Sequence, residues 1–353
     1  GLATVSWVVS AFNVAQVTFM LLGGRLADRI GRKKVFLRGL AVFALGAALS
    51  GIGYTLCALV PGVAVIQECL PHRRSFAIGA YMMIGGLGGV AGPQLVTGIV
   101  GATGSWRMHW VVMAVSIAAL AFLCIVFLRG DRQQDDENES ALVAEKRSDK
   151  VYMTRFEWHF DDVVKTPQFY IIVAALTMTL FGGVTTNSWA VSHMGNLGVA
   201  ISIAAGALSA HALINSSSRA FGGFLATRVD PKWLLASALA AESIGMLALS
   251  VADDPLTIAI FAIGEGYGFG MCMFATTILL INYYGPREAP KTMGTMYLIS
   301  TIAMLGPVFG GYIADTFGGF EWVFRGYAIV MLLCLVATVM MQPPRLEAVR
   351  GTE

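Results

Sequence analysis

Charge is what this sequence has least of. Of its 353 residues only 13% are Asp, Glu, Lys or Arg, where soluble domains carry roughly 25%. Half of the usual solvating charge is missing, while 56% of the residues are hydrophobic and the mean hydropathy is +0.68. Cysteine is sparse as well. Cys57, Cys69, Cys124, Cys272 and Cys334 share no CxxC spacing, and all but Cys69 lie in apolar runs. That pattern argues against a disulfide framework or a metal site and marks them as packing residues. A net charge of +2 offers no footprint for nucleic acid. No nucleophile–base–acid set is present, and no phosphate-binding glycine loop precedes a helix, so no cofactor and no enzyme chemistry is expected. What the sequence does have is apolar length, with 40 glycines and 17 methionines of the kind that lets membrane helices pack closely. The composition implies an all-α polytopic membrane protein.

A membrane helix needs about 20 apolar residues. Spans read at 3–24, 35–50, 51–70, 75–100, 108–128, 168–192, 200–226, 233–252, 255–284, 292–314 and 323–341. The polar insert "RGDRQQDDENESALVAEKRSDK" reads as a flexible loop, and "MTRFEWHFDDVVKTP" after it as a short amphipathic helix in the membrane interface. The halves on either side repeat. "LLGGRLADRIGRKKV" lies over "AFGGFLATRVDPKWL" at an offset of 199, and Gly92-Pro93 lies over Gly306-Pro307 at an offset of 214. Parallel repeats of this kind form transporter folds. The expected organisation is an N-terminal helical bundle at 1–128, a cytoplasmic linker at 129–166 and a C-terminal bundle at 167–353. The offsets differ by 214 − 199 = 15 residues. Together with the crowded spans around Ser50-Gly51, this suggests that a segment there, and a first helix, are absent from the chain. A plain deletion is the alternative. Basic residues gather in alternate loops, among them Arg25, Arg29, Arg32, Lys33, Lys34, Arg228 and Lys232. By the positive-inside rule that side is cytoplasmic and holds the C-terminus of a cell-membrane protein.

The stretch "GGRLADRIGRKKV" sets Gly24, Asp28, Arg29, Gly31 and Lys33 at a spacing that a plain basic loop does not require. It resembles the loop signature of the major facilitator superfamily. That resemblance implies two pseudo-repeated six-helix bundles that rock about a central site, with these five residues as a cytoplasmic gating motif. The second copy carries Thr227 where the acid stands, so the gate is expected on one side only. "LPHRRSFAIGAYMMIGG" is further similar to a helix signature of the monocarboxylate transporter-like branch, as is Asn215 one turn before Arg219 and "AFGG". From that likeness Arg219 would be the carboxylate anchor, with Tyr54 facing it.

His211, Asn215 and Arg219 stand four residues apart, on one helical face. An arginine at mid-bilayer costs about 2.5–3.5 kcal/mol on insertion scales, which argues for a wet or paired setting. Two readings stay open: Arg219 snorkels towards Arg228, nine residues on, or its planar fork binds a carboxylate. Asn215, Tyr54, Tyr267 and Asn187 are the accompanying substrate-contact candidates. His211 and Glu265 are the candidates for proton coupling, since imidazole titrates near neutrality and Glu265 sits mid-span among glycines at 264, 266, 268 and 270. Glu265 is also placed to neutralise Arg219 when substrate is absent. Glu242, mid-span in a peripheral helix, is expected to make a structural hydrogen bond.

The leading expectation is a secondary transporter, monomeric in the bilayer, that moves a small monocarboxylate with a proton. The alternative is proton-coupled efflux of drugs or amphiphiles, in which Glu265 is essential and Arg219 dispensable.

Overall fold

A computed structural model of the chain describes residues 59–127 and 151–346, with 53 and 148 as isolated positions. The 21–35 motif (Gly24, Asp28, Arg29, Gly31, Lys33), Tyr54 and the proposed break at Ser50-Gly51 lie outside the described residues. The described chain is helical, without strands. In order it forms α1 (Leu59–Cys69), a 3-10 turn (Pro71–Arg73), α2 (Arg74–Thr103), α3 (Trp106–Phe127), the one-turn α4 (Phe160–Val163), α5 (Pro167–Asn196), α6 (Ile201–Leu225), α7 (Pro231–Leu249), α8 (Pro255–Tyr284), α9 (Ala289–Ser300), a 3-10 turn (Thr301–Leu305), α10 (Gly306–Phe317) and α11 (Glu321–Met340). Among the described residues, seven stretches are long and apolar enough to cross a membrane, α9–α10 counting as one. The 25-residue α6 is long enough but too polar to be among them, because His211 and the run Asn215–Arg219 interrupt its apolar surface.

Packing divides the chain into two units, 1–59 with 95–130 and 60–94 with 131–353. The described part of the first is the end of α2 and the apolar α3. All that follows concerns the second, in which residues 60–94 pack with the C-terminal helices.

The helix boundaries follow from local chemistry. α7 and α8 both open on Asp-Pro. Proline is suited to a first helical position because the N–H it lacks has no partner there, and the preceding Asp caps the next amides. Asp230 Oδ1 accepts from Lys232 N at 2.9 Å, and Asp254 Oδ1 accepts from Leu256 N at 2.7 Å. The Thr257 hydroxyl and the Leu256 amide that bond Asp254 hold its carboxyl below the usual carboxylate range. α8 and α10 end at Gly285 and Gly318, whose φ values of 84° and 80° favour glycine. The expected single span at 292–314 is in fact broken. Pro307 has no N–H to donate to the preceding turn, and that turn tightens to 3-10 geometry at 301–305.

The expected amphipathic helix after the linker is not there. Only Phe160–Val163 is helical, and 151–159 runs as an irregular strap over the ends of α7 and α8. Its amides are partnered at those ends: Thr154 N donates to Asn282 O at 2.8 Å, and Tyr152 N to Asp230 Oδ2 at 2.9 Å. The last carbonyls of a helix lack intrahelical partners, so α8 offers acceptors that a helical strap could not use. Trp158 is buried edge-on against Tyr284, and Tyr152 packs edge-on against Tyr283. The apolar half of the amphipathic pattern thus finds protein instead of lipid. Asp230 serves both α7 and the strap, so Asp230→Ala should lower stability by about 1–2 kcal/mol and speed tryptic cleavage at Arg155. Unchanged thermal unfolding in detergent would show that neither bond matters.

Candidate functional site

Glycines set how closely the helices around the site approach. Along α8, glycines recur every second residue, and on a helix that period divides them between two flanks. Gly264 and Gly268 face α7: a methyl at Gly268 would meet Glu242 Cβ at 2.6 Å, and one at Gly264 would meet Ala241 O at 2.7 Å. Gly266 and Gly270 face α6, where added methyls would meet His211 O at 2.8 Å and the carbonyl of Asn215. On its other flank α6 meets α2, with Gly79 against Arg219 O at 2.6 Å and Gly86 against Ser216 Oγ at 2.6 Å, again for an added methyl. α6 is therefore held between α2 and α8, which removes its polar stripe from lipid.

Within this sandwich His211 of α6 and Glu265 of α8 meet. Nε2 of the imidazole pairs with Oε2 of the carboxylate, and both side chains are almost wholly buried. The imidazole also stacks on Phe261, with ring centroids 6.0 Å apart and planes 8° from parallel. His211 Nδ1 and Glu265 Oε1 have no hydrogen-bond partner. Moving a single charge into such an interior costs several kcal/mol even after relaxation. An imidazolium–carboxylate pair, or a neutral pair, avoids that; removing one partner does not. The two proton-coupling candidates thus form one unit.

Arg219 lies elsewhere on the stripe. Its Nη2 donates to Asn215 Oδ1 at 2.9 Å and its Nη1 to the carbonyl of Met82 on α2 at 3.2 Å. Glu265 was expected to neutralise it, but that carboxylate is taken by His211, which reaches it from the facing helix. The guanidinium is instead solvated by protein oxygens. Tyr267 points away from the stripe, its hydroxyl 2.9 Å from Ser237 Oγ on α7. Asn187 is exposed and donates to Gly183 O of its own helix at 2.9 Å. The expected set of Arg219, Asn215, Tyr267 and Asn187 is therefore brought together only in its first two members.

Glu242 of α7 makes the hydrogen bond anticipated for it: the Thr179 hydroxyl of α5 donates to Oε2 at 2.8 Å. Sequence reasoning missed Thr179, Phe261 and the Met82 carbonyl as partners. Spacing shows which residues share a face, but not what lies opposite. One signal was present. Glu242-x-x-Gly245 and Glu265-x-x-Gly268 are the same four-residue pattern on consecutive spans.

Comparison with known proteins agrees with the helical architecture. The Major Facilitator Superfamily family model matches residues 1–226 and 188–353. The chain is 35% identical over 136 residues to an uncharacterized MFS-type transporter of Mycobacterium tuberculosis, which covers 34% of this chain and 24% of the relative. It is 33% identical over 138 residues to multidrug resistance protein 3 of Bacillus subtilis, covering 34% and 26%, and 32% identical over 144 residues to puromycin resistance protein pur8 of Streptomyces alboniger, covering 36% and 28%. The aligned stretch thus spans about a quarter of each relative's length. These relatives are named for drug resistance or uncharacterized, and give no support to the monocarboxylate branch suggested by "LPHRRSFAIGAYMMIGG" and the Asn215–Arg219 pair. With family matches running across both halves and membrane-length helices through its described residues, this chain belongs to the major facilitator superfamily.

Proposed function

We propose that the protein is a multi-pass transporter that exports amphiphilic compounds in exchange for protons. The observation that carries the reading is the buried His211–Glu265 pair, two titratable groups joined across a helix interface with no Lys or Arg paired to either among the described residues. Protonation of Glu265 would break the pair's electrostatic bond and loosen α6 from α8. A ligand that favours one arrangement of those helices would then change the pair's proton affinity by the same factor by which protonation changes the affinity for the ligand. The drug-resistance names of two relatives support the same direction. Carboxylate transport by Arg219 takes second place, because both terminal nitrogens of that side chain already donate to protein oxygens. We retain as part of the proposal two rocking halves joined through 129–166, a monomer, and a cell-membrane location with the C-terminus inside.

Everted vesicles test it. An acid interior should drive accumulation of puromycin and of ethidium several-fold above a protonophore-treated control, and an acid exterior should leave labelled lactate at the control level. Gradient-driven lactate uptake that disappears in Arg219→Ala would overturn the reading and restore the arginine as a carboxylate anchor.

A further inference from the structure

α7 and α8 run antiparallel, and their two Glu-x-x-Gly patterns interlock. A methyl on Gly268 of α8 would meet Glu242 Cβ at 2.6 Å, and one on Gly245 of α7 would meet Glu265 Cβ at 3.0 Å. Each acid therefore stands over the other helix's glycine, and the two are offset by three residues, about 4.5 Å along the axis. Two carboxyl groups share one dry interface, where two unpaired negative charges are not tolerated. Glu265 has a partner in His211. Glu242 has only the Thr179 hydroxyl on Oε2, while Oε1 is buried without a partner, in a side chain with no measurable exposure.

Among the described residues, the titratable groups that face Glu242 are Glu265 and Cys272 of α8 and Cys334 of α11. None of them supplies a positive charge. From α5 comes only Thr179, since the histidine of that helix, His193, lies 14 residues further along, about 21 Å away. The one arginine of α11, Arg325, is half-exposed and 3.5 Å from Glu321. From these placements we propose that Glu242 is a second proton-carrying acid of the exporter, working as a dyad with Glu265. In the arrangement seen here the proton sits on Oε1 of Glu242, Oε2 accepts from Thr179 as a carbonyl oxygen, and Glu265 is balanced by the His211 imidazolium. The three groups hold two protons and no net charge. When His211 leaves Glu265 and keeps its own proton, Glu242 Oε1 passes its proton to the second carboxylate. Glu242 is then left charged and is recharged from solution.

The proposal rests on the proton-coupled reading above, but its test does not depend on it alone. Infrared difference spectra of the full chain in lipid read protonated carboxyl groups directly, without any transported compound. The wild type should show a protonated-carboxyl carbonyl band that shifts in heavy water and bleaches on alkaline titration. Glu242→Gln should remove that band, and Thr179→Val should move it to higher frequency by removing the donor to Oε2. In vesicles, Glu242→Gln should also reduce the stimulation of puromycin export by a proton gradient at least twofold. Glu242→Asp, which keeps the acid, should retain a bleachable band and separates loss of the acid from loss of fold. A wild-type spectrum without such a band, or a band that neither exchanges nor bleaches, overturns the proposal. So does Glu242→Gln with undiminished gradient stimulation. Absence of gradient-driven export in the wild type, with the bleachable Glu242 band present, would instead remove the exporter reading and leave the acid's proton in place.

Discussion

Glu265→Gln should reduce proton-driven export at least tenfold. Glutamine keeps the volume and one acceptor, so the contact with His211 survives as a neutral hydrogen bond, while the group can no longer take up or release a proton. A proton gradient acts on the helices through groups whose charge changes, and this substitution removes the one that pairs with His211. His211→Gln should cause a comparable loss by a different route, since it leaves the Glu265 carboxylate buried without a counter-charge. Removing one partner of a buried pair typically costs 3–5 kcal/mol. His211→Gln should accordingly give less folded protein than Glu265→Gln. Both are measured in the same vesicles, with folded yield read by size-exclusion chromatography. Export within twofold of wild type in Glu265→Gln would show that the pair only packs the helices.

The second large effect is steric. Gly270→Ala should destabilise the second unit by about 1–3 kcal/mol, the range for overfilling a tight core. The added methyl would fall on the carbonyl of Asn215 and the hydroxyl of Ser218. The first is backbone and cannot rotate aside, so α6 must retreat from α8 and carry His211 away from Glu265. Helix propensity works the other way, favouring Ala over Gly by about 0.5–1 kcal/mol, so the sign is a real test. Gly294→Ala and Gly326→Ala, where nothing lies within 4 Å of the added carbon, should be neutral or mildly stabilising. Equal thermal midpoints for all three variants would refute the close packing of α6 on α8.

Much of the architecture was legible because each piece has a local cause. The apolar spans need length and hydropathy and no tertiary information. The polar stripe of α6 was legible for the same reason, as three residues at four-residue spacing must share a face. What could not be read was the partner across each face. Arg219 and Asn215 have the spacing that resembles a carboxylate site, yet that spacing equally lets Asn215 accept from Arg219 within one helix. The strap at 151–159 has an amphipathic pattern because Trp158 needs cover, and the pattern does not say whether lipid or Tyr284 provides it. Tyr267 could not be oriented from sequence because a tyrosine near an acid in one turn can point to either flank, and here it follows Gly268 towards α7.

The length of α8 has a consequence for how the protein sits in its bilayer. Thirty residues make about 45 Å of helix, against a hydrocarbon core of about 30 Å. Matching the two by inclination alone would need an angle near 50°, beyond the range of about 0–40° that membrane helices adopt. Part of α8 must therefore stand outside the hydrocarbon, among headgroups or beyond. At its C-terminal end that overhang is already clothed, by Thr154 on the Asn282 carbonyl and by Trp158 and Tyr152 against Tyr284 and Tyr283. A helix end whose solvation comes from its own chain is indifferent to where the lipid surface falls, so at this end the protein can accommodate thin and thick membranes without remaking a bond.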